Sequence, residues 1–553
     1  MAASGATSDA PARVTPLSGV VTCATELART LHRLGVRHVF GHPGGEIVDL
    51  IEALERNGVR FVLTGHESAA AFMAGAIGRL TGTPGVCLST VGPGACNMLL
   101  GVASAYLDRD PVLALSARAT VVQDSRSEKQ NLPLNALFAH VTKRSIALDG
   151  ADTAGAVAAA ARLAVAPPRG PVFLSLPADV AVGPATPGVA PIPNAPAASP
   201  AGADLEPLAA ALARARRPVA VIGVALEPRR DAAAVRRFLA GTGLPYVVLP
   251  EAKGVADETS DRYLGTVASA AADAPAIEVL RESDGLLGIG FDPVESAQDW
   301  HYDRPVYSIA SAPIGFRGFR PALECVGDVS ALLDALGTRY RGSSEWPIAV
   351  LLDVRRWIAD ALVPPAEKSA IGLAPYHVMR VLREITPEST IVATDVGAHK
   401  MAISQVWRTP EPLGFLVSNG LSAMGYGVPA ALAASLVHPE RPVVALVGDG
   451  GFAMMVQELE TARRLGVAPL ILVFSDRSLA VIKVAQQSRG IPHRGVDFVA
   501  VDWAAVARGF GAHGVAVAEL GELDKAIRDW LAEPRLTVLA VAVDETLYTV
   551  LTY

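Results

Sequence analysis

Short apolar runs rich in β-branched residues alternate along the chain with longer Ala- and Leu-rich stretches. "RHVFGHPGG", "RFVLTGHE", "GVCLSTVGPG" and "PVLALSAR" each have the pattern of a buried strand followed by a loop, and the helical stretches 68–80 and 95–106 separate them. Alternation of this kind is typical of parallel α/β units, whose buried strands are continuously apolar. The pattern therefore predicts an α/β fold of doubly wound parallel sheets.

A segment rich in Pro, Ala and Gly, residues 183–203, interrupts this pattern. Such a composition suits neither a helix nor a central strand, so the segment is predicted to be a linker. The length of 553 residues is enough for about three domains. We therefore expect a loose tail, three α/β domains and a helical connection before the last domain, at residues 1–17 (tail), 18–182 (first domain), 204–341 (central domain), 342–369 (connection) and 370–553 (third domain).

The same pattern places individual strands in the second and third domains. In the central domain they are expected at 219–222, 246–249, 285–288 and 305–309. In the third domain they are expected at 390–394, 443–447, 470–474 and 537–541. The first and third domains are similar in size, but no strict sequence repeat relates them.

Composition and charge exclude several classes of protein. The net charge is −7, spread along the chain, and no long basic run occurs, so no nucleic-acid partner is expected. The most apolar runs are short and bounded by Gly or Pro, which predicts no membrane association. The four cysteines form no CxxC pair and have no His at zinc-ligand spacing, as expected for reduced thiols of a cytoplasmic protein.

The strongest local signal for chemistry is "VVALVGDGGFAMMVQELETARRLGVAPLILVFSDRSLAVI". A predicted strand runs into residues 448–451, and a second strand ends at Asp476 after an intervening helix. Turns at the carboxyl ends of neighbouring parallel strands are where such sheets bind ligands, and glycines there let backbone N–H groups approach a phosphate. Asp449 and Asp476 are able to share one Mg²⁺ with diphosphate oxygens. The alternative is a plain strand–helix–strand unit with two surface aspartates.

This stretch resembles the diphosphate-binding motif of the thiamine-diphosphate-dependent enzymes, which begins with GDG and ends at Asn or Asp after a helix and a strand. The resemblance implies thiamine diphosphate and Mg²⁺ as cofactors. It implies that the metal is held by the carboxylates of Asp449 and Asp476 and by the backbone carbonyl of Ser478. It also implies cofactor contacts from Gly448, Gly450, Gly451 and Leu479.

Far upstream, "RFVLTGHESAAAFMAGAIGRLTG" places Glu67 just after a strand, where it opens an Ala-rich helix. The helix dipole stabilises a negative charge in the first turn, so a purely structural role as a helix cap would also explain a Glu at this position. The resemblance implies a catalytic role: a Glu at this point hydrogen-bonds N1′ of the cofactor's aminopyrimidine and favours the imino tautomer. The imino nitrogen then takes the proton from thiazolium C2, which is acid–base work for a carboxylate in a dry pocket.

Two further stretches fit the same family. In "FLVSNGLSAMGYGVPAALAASL", Met424 falls at the family's position for the bulky apolar residue beneath the cofactor. "TDVGAHKM" falls where members of the family bind the diphosphate, although many of them carry Gln at the position of Ala398. With the "GHPGG" loop, the resemblance implies cofactor contacts from Gly44, Gly45, Val396, Gly397, Ala398, His399, Ser422 and Met424.

Within this family the chain resembles acetolactate synthase of the large catalytic subunit type. "GHPGGEIVDLIEAL" is similar to the synthases' glycine-rich loop, and "GFDPVESAQDW" is similar to the FAD-free, catabolic synthases. "FVLTGHE" and "AYLDRDPVLALSA" also resemble carboxyethylarginine synthase, which forms a C–N bond. FAD stays open, because "VIGVALEPRRD" in the central domain gives no clear dinucleotide fingerprint.

Several pocket positions depart from the synthases. Arg118 replaces a usual Gln, His42 replaces a common Tyr, and Ala178 replaces a frequent Lys. Ala485 stands where biosynthetic synthases place a substrate-contacting Trp, while Lys400 and Lys483 fall near the cofactor loops. A cation there is able to bind the carboxylate of an oxo acid. The candidate substrate residues are therefore His42, Arg118 and Lys483, and the alternative for the cations is a solvated surface position.

The resulting expectation is a thiamine-diphosphate-dependent carboligase, a transferase or lyase. It decarboxylates a 2-oxo acid, with pyruvate expected, and transfers the acyl carbanion equivalent to an acceptor. The alternatives are a non-oxidative 2-oxo acid decarboxylase, a C–N-forming relative, and a non-catalytic homologue, against which the intact Glu67, Asp449 and Asp476 argue. The family also implies a homodimer or homotetramer with active sites between subunits.

Overall fold

The computed structural model describes residues 20–549 except 125, 127, 186–203, 269–270, 296–303, 317 and 343. The predicted tail at 1–17 and most of the predicted linker lie outside the described residues. The described residues form three six-stranded sheets whose strand pairs are all parallel, which confirms the predicted fold class. The domain boundaries themselves stay predictions.

The first sheet has the order β2-β1-β3-β4-β6-β5, and its flanking helices lie on both faces. Its strands are β1 (His38–Gly41), β2 (Arg60–Leu63), β3 (Gly85–Ser89), β4 (Val112–Arg118), β5 (Arg144–Ala147) and β6 (Val172–Pro177). Its helices are α1 (Cys23–Arg33), α2 (Val48–Arg56), α3 (Glu67–Thr81), α4 (Pro93–Leu107), α5 (Val121–Asp124), α6 (Leu134–Phe138), α7 (Thr153–Val165) and α8 (Ala178–Val182), with a 3₁₀ turn at Gly45–Ile47.

The central sheet has the order β12-β11-β10-β7-β8-β9. Its strands are β7 (Pro218–Ile222), β8 (Tyr246–Val248), β9 (Tyr263–Thr266), β10 (Gly285–Ile289), β11 (Val306–Ala310) and β12 (Leu323–Val326). Its helices are α9 (Glu206–Arg214), α10 (Pro228–Thr242), α11 (Ala274–Glu282) and α12 (Val329–Arg339), with 3₁₀ turns at Pro250–Ala252, Ala271–Asp273 and Pro293–Glu295. The connection to the third sheet contains α13 (Ile348–Leu362).

The third sheet has the order β14-β13-β15-β16-β18-β17, the same connectivity as the first. Its strands are β13 (Ile391–Thr394), β14 (Phe415–Val417), β15 (Val443–Gly448), β16 (Leu470–Ser475), β17 (His513–Val517) and β18 (Thr537–Ala542). Its helices are α14 (Pro375–Ile385), α15 (Ala398–Val406), α16 (Gly427–Val437), α17 (Asp449–Met455), α18 (Glu458–Leu465), α19 (Ala480–Ser488), α20 (Trp503–Gly509) and α21 (Leu520–Ala532), with a 3₁₀ turn at Glu545–Leu547.

The eight strands expected in the central and third domains are all present, with ends that differ by one residue. Cys23, Cys87 and Cys325 are buried and Cys96 is exposed, and none of the four forms a disulfide. No helix among the described residues is long and apolar enough to cross a lipid bilayer.

Helix α3 joins the first and third domains. It packs on α4 and on α16, and the ring of Phe72 meets the ring of Tyr426 edge-on at 5.8 Å between centroids. The approach requires small residues: a Cβ at Gly101 would lie 2.5 Å from the Cβ of Ala71, and one at Gly78 would lie 2.2 Å from the carbonyl oxygen of Pro111. Because its packing partners surround it, the first residue of α3 has a fixed position.

Candidate active site

Glu67 is that first residue, and its side chain lies in a buried pocket. It is 7% exposed, and Asn97 Nδ2 on α4 donates to Glu67 Oε2 at 3.0 Å. A Cβ at Gly94 would lie 3.0 Å from Glu67 Oε1, so the glycine leaves space beside that oxygen. The preceding residue, His66, caps the helix by accepting the N–H of Ser68. Asn97 thus holds one carboxylate oxygen, and the absence of a side chain at residue 94 keeps the other uncrowded, which suits a proton-sharing carboxylate.

Asp449 and Asp476 lie at the carboxyl ends of the adjacent strands β15 and β16. Asp449 Oδ2 accepts the N–H of Arg477 at 2.8 Å, and Asp476 Oδ1 accepts the N–H of Ser478 at 3.0 Å. Burial raises the pKa of Asp449 to about 6. Burial, followed by the charge of Asp449, raises the pKa of Asp476 to about 7. The strand ends therefore bring together a buried carboxylate, of Asp449, and a half-buried one, of Asp476, that repel each other.

Two such carboxylates fit a divalent cation, because a shared positive charge removes their repulsion. Among the described residues, no group of three or more His, Cys, Asp or Glu side chains is arranged to hold a metal ion. A cation between Asp449 and Asp476 therefore needs other oxygens, and a backbone carbonyl with phosphate oxygens is the usual complement for Mg²⁺. The donor set suits Mg²⁺ bound together with a diphosphate.

Neighbouring groups leave little room for a side chain at the glycines of residues 448–451. A Cβ at Gly448 would lie 3.3 Å from the ring of His399, and one at Gly451 would lie 2.4 Å from Asp395 Oδ2. A Cβ at Gly450 would lie 3.3 Å from both Leu479 and Phe498. Leu479 is held in turn by its N–H, which donates to the carbonyl of Val496 at 2.8 Å. The predicted cofactor residues of β15, α17 and the loop before α19 thus line one turn region.

His399 lies beside this turn, on α15. Its ring stacks on Phe474 with 5.9 Å between centroids, and burial lowers its pKa to about 3, so it is neutral. Its Nε2 is buried and has no hydrogen-bond partner among the described residues. A buried nitrogen of this kind normally has a partner, and a ligand at the turn would supply one. Gly397, the N-cap of α15, has a φ of 152° and precedes Ala398.

Asp395 connects these elements, and the sequence motifs did not single it out. It is buried at the end of β13, where its Oδ1 accepts the N–H groups of Val396 at 2.7 Å and Gly425 at 2.9 Å. Burial raises its pKa to about 6. The acid thereby holds the start of the "VGAH" segment against the turn that carries Met424, which is half-buried. In the sequence, the one sign of a functional role for Asp395 is its position directly after a predicted strand.

The three candidate substrate residues differ in their surroundings. His42 is exposed, and its Nδ1–H donates to the carbonyl of Thr64 at 2.9 Å. Arg118 is half-buried at the carboxyl end of β4. Lys483 Nζ donates to Asp497 Oδ1 at 2.8 Å and also to Glu545 Oε1, so two carboxylates neutralise its charge. Its substrate role stays a prediction, and its contacts do not support it.

Arg118 lines a surface depression of about 460 Å³. The other residues of the depression come from the start of α6 and the loop before it: Asn131, Leu132, Pro133, Leu134, Asn135 and Ala136. In the "GHPGG" loop, a Cβ at Gly44 would lie 2.3 Å from Thr90 Oγ1, whereas Gly45 has open space around it. Both regions lie at the carboxyl edge of the first sheet, the same edge as Glu67.

Glu67 and the two aspartates belong to separate groups within one chain. Among the described residues, no hydrogen bond or ion pair joins the Glu67–Asn97 pair to Asp449 or Asp476. Near Glu67, the first domain contacts the third through Gly65, whose N–H donates to the buried Glu458 Oε2 at 3.2 Å. Glu458 was also missed from the sequence, because only the fold places it beside the "TGHE" loop.

The central sheet has the strand order that dinucleotide-binding domains share. Its first turn follows β7, where a dinucleotide phosphate would accept backbone N–H groups. Here the N–H of Val224 donates to Glu295 Oε2 at 2.7 Å, and those of Gly223 and Ala225 donate to carbonyls of β10 and its end. Burial raises the pKa of Glu295. The turn therefore does not fit a dinucleotide phosphate.

Comparison with known proteins defines the class to which this fold and site belong. Three family descriptions match successive parts of the chain: "Thiamine pyrophosphate enzyme, N-terminal TPP binding domain" at residues 21–137, the central domain at 205–336 and the C-terminal TPP binding domain at 395–541. The chain belongs to the thiamine-diphosphate-dependent enzymes.

Within that class the chain is similar to acetolactate synthases. The chain is 32% identical to acetolactate synthase of Bacillus subtilis over 524 residues, covering 92% of this chain and 91% of the relative. It is 30% identical to the catabolic acetolactate synthase of Raoultella terrigena over 535 residues, 93% of each chain. It is 29% identical to the acetolactate synthase isozyme 2 large subunit of Escherichia coli over 536 residues, 94% of this chain and 95% of the relative. The protein is an acetolactate synthase-like, thiamine-diphosphate-dependent enzyme, as the motifs predicted.

Proposed function

We propose that the enzyme is a carboligase that decarboxylates pyruvate and joins the remaining acyl unit to a second 2-oxo acid. The observation that carries the proposal is the buried Glu67 carboxylate, with one oxygen held by Asn97 and the other beside Gly94. Similarity to acetolactate synthases over more than nine tenths of the chain supports the choice of reaction. When bound, thiamine diphosphate supplies the electron sink that decarboxylation requires.

In this proposal each part of the site has one task. Glu67 would share a proton with N1′ of the cofactor, and Asp449 and Asp476, with the carbonyl of Ser478, would hold Mg²⁺ beside the diphosphate. The glycine turns at 397 and 448–451, together with Val396, Ala398, His399 and Leu479, would contact the diphosphate, and Gly44 and Gly45 would contact the cofactor from the first domain. Ser422 and Met424 support the cofactor from the third domain. FAD is not part of the proposal, because Glu295 takes the N–H of Val224 in the central domain.

The family resemblance implies a site shared between two chains, and within one chain Glu67 makes no direct hydrogen bond with the aspartates among the described residues. Apolar side chains are exposed around both halves: Leu100 on α4 beside Asn97, and Met454, Ile482, Phe498 and Val499 around the aspartates, with Val499 83% exposed. Exposed apolar side chains around both halves suit an interface that a partner covers. We therefore propose a homodimer or a dimer of dimers, in which the first domain of one chain meets the third domain of another.

Arg118 is the proposed group for the acceptor's carboxylate. A guanidinium grips a carboxylate with two parallel N–H···O bonds, and the depression beside it has the size of a small ligand site. Asn131 and Asn135 add amide groups to the same lining. An acceptor that carries a carboxylate, such as a second 2-oxo acid, matches this chemistry better than a neutral aldehyde.

Product analysis tests the proposal. The purified enzyme with thiamine diphosphate and Mg²⁺ is given pyruvate alone, and then pyruvate with an aldehyde or an amine, and the products are identified by mass spectrometry. The proposal expects carbon dioxide and a C–C ligated hydroxy-oxo acid from pyruvate alone. Acetaldehyde as the sole product would replace it with a decarboxylase, and a product formed only with the amine would replace it with a C–N-forming enzyme.

A further inference from the structure

The turn at residues 418–423, between β14 and α16, is held by all three domains. It has no regular secondary structure, and Ser422 within it has a φ of 53°, in the left-handed region that non-glycine residues rarely adopt. Such a conformation persists only when its surroundings hold it in place. Because Met424 follows directly, the position of this turn sets the position of Met424.

Asp108, at the end of α4 in the first domain, holds the backbone of the turn. Its Oδ1 accepts the N–H of Asn419 at 3.1 Å and the N–H of Gly420 at 2.7 Å. Its Oδ2 accepts from Ser104 Oγ at 2.8 Å, and Ser104 Oγ also lies 3.0 Å from Ser418 Oγ. Asp108 is 1% exposed, so loss of the carboxylate would leave two backbone donors without a partner.

Lys400, on α15 of the third domain, holds the turn from the other side. Its Nζ donates to the carbonyl of Ser418 at 3.1 Å and to Ser422 Oγ at 3.3 Å. The side chain is 6% exposed, and burial lowers its pKa to about 8. From the central domain, the carbonyl of Glu295 accepts from Asn419 Nδ2 at 3.4 Å.

We propose that Lys400 and Asp108 are positioning residues that fix the turn at 418–423 and thereby the height of Met424 beneath the cofactor. This inference rests on the proposed function, which places Met424 there. Neither side chain needs to touch the reacting atoms. A shift of about 1 Å in a supporting element is able to cost about 10²-fold in rate, because the reacting groups lose their alignment.

The test uses Lys400→Met and Asp108→Ala in the full-length protein, each with a matched control; alanine is used at 108 because the amide oxygen of Asn would still accept the two N–H groups. Lys143→Met removes another Lys that donates to two carbonyls, of Leu163 and Ala166. Asp231→Ala removes another buried carboxylate that accepts a backbone N–H, of Glu227, and a serine hydroxyl, of Ser330. Both controls lie away from the turn, so they report the loss of stability alone.

Two measurements separate positioning from stability. Amide hydrogen–deuterium exchange on the cofactor-free protein measures the protection of the peptide that contains Asn419 and Gly420. This peptide should lose protection in both variants and in neither control. C2 hydrogen–deuterium exchange on the bound cofactor should slow about 10- to 100-fold at saturating cofactor. We expect kcat to fall by a similar factor, with the KM for pyruvate little changed.

Unchanged amide protection in both variants would overturn the proposal, as would loss of protection with an unchanged C2 exchange rate. If either variant fails to fold, Ser104→Ala, which removes only the hydroxyl between Asp108 and Ser418, should show the same effects at smaller size. Failure of the proposed function is distinguishable, because the wild-type enzyme would then form no C–C ligated product from pyruvate while its turn stayed protected.

Discussion

Changing Glu67 to Gln removes a shared proton and leaves the shape of the side chain. The amide oxygen is still able to accept from Asn97 Nδ2, the 3.0 Å contact of the wild type, and the helix still begins at the same residue. We therefore expect the fold and cofactor binding to persist, with a stability change of about 1 kcal/mol, the net value of one hydrogen bond.

The rate of C2 deprotonation should fall much further. A lost acid–base group typically costs about 10²–10⁴-fold in rate. At 1.36 kcal/mol for each tenfold change, this corresponds to about 2.7–5.4 kcal/mol in the barrier. The assay incubates the loaded enzyme in D₂O, stops exchange with acid at timed intervals, and reads the C2 proton of the released cofactor by NMR.

Glu26→Gln is the matched control, because Glu26 is a buried glutamate of the same domain that pairs with Arg33 at 3.1 Å. It should lower stability and leave C2 exchange unchanged. If Glu67→Gln exchanges C2 at the wild-type rate, the carboxylate does not share the proton. If the Glu67→Gln variant loses the cofactor instead, Glu67 acts in cofactor binding rather than in proton transfer.

Three further changes address the metal, the acceptor and the packing. Asp449→Ala should abolish Mg²⁺-dependent retention of the cofactor in gel filtration followed by cofactor assay, and a stoichiometric cofactor content would show that Asp449 is not a ligand. Arg118→Gln should weaken ligation more than decarboxylation and shift products toward free aldehyde, whereas equal loss of both would remove Arg118 from the acceptor site. Gly78→Ala should lower the free energy of unfolding by about 1–3 kcal/mol in a urea titration, because its Cβ would lie 2.2 Å from the carbonyl oxygen of Pro111, and an unchanged midpoint would contradict the packing of α3.

Local patterns were enough to locate most of the secondary structure and the motifs of the site. The strand before Gly448 was predicted to span 443–447 and is observed at Val443–Gly448, because a buried parallel strand is apolar at every position. The turn glycines and the two aspartates could be recognised in the sequence because they belong to a motif with a fixed order of strand, turn, helix and strand. Asp395 and Glu458 could not, because a buried acid that accepts backbone N–H groups looks like any other acid in a sequence.

For Lys483 and Lys400 as well, the sequence did not indicate which groups surround the side chain. In the sequence both are lysines near cofactor loops. The structure places Lys483 between Asp497 and Glu545, and it places Lys400 in a buried contact with Ser418 and Ser422. The charge of a Lys is set by its sequence, but the groups that neutralise it come from elements distant in the chain.

The sequence by itself indicated the parallel α/β architecture through its hydrophobic period. Its motifs, through their resemblance to the family, indicated the class of enzyme and the acids proposed to carry the chemistry. Only the tertiary structure decided that the first and third sheets share one strand order, that Glu295 takes the N–H of Val224 in the central domain, and that Asp108 reaches the turn before Met424. Each of these contacts joins residues from different strands or domains. Chain packing brings them together, and no local pattern in the sequence records it.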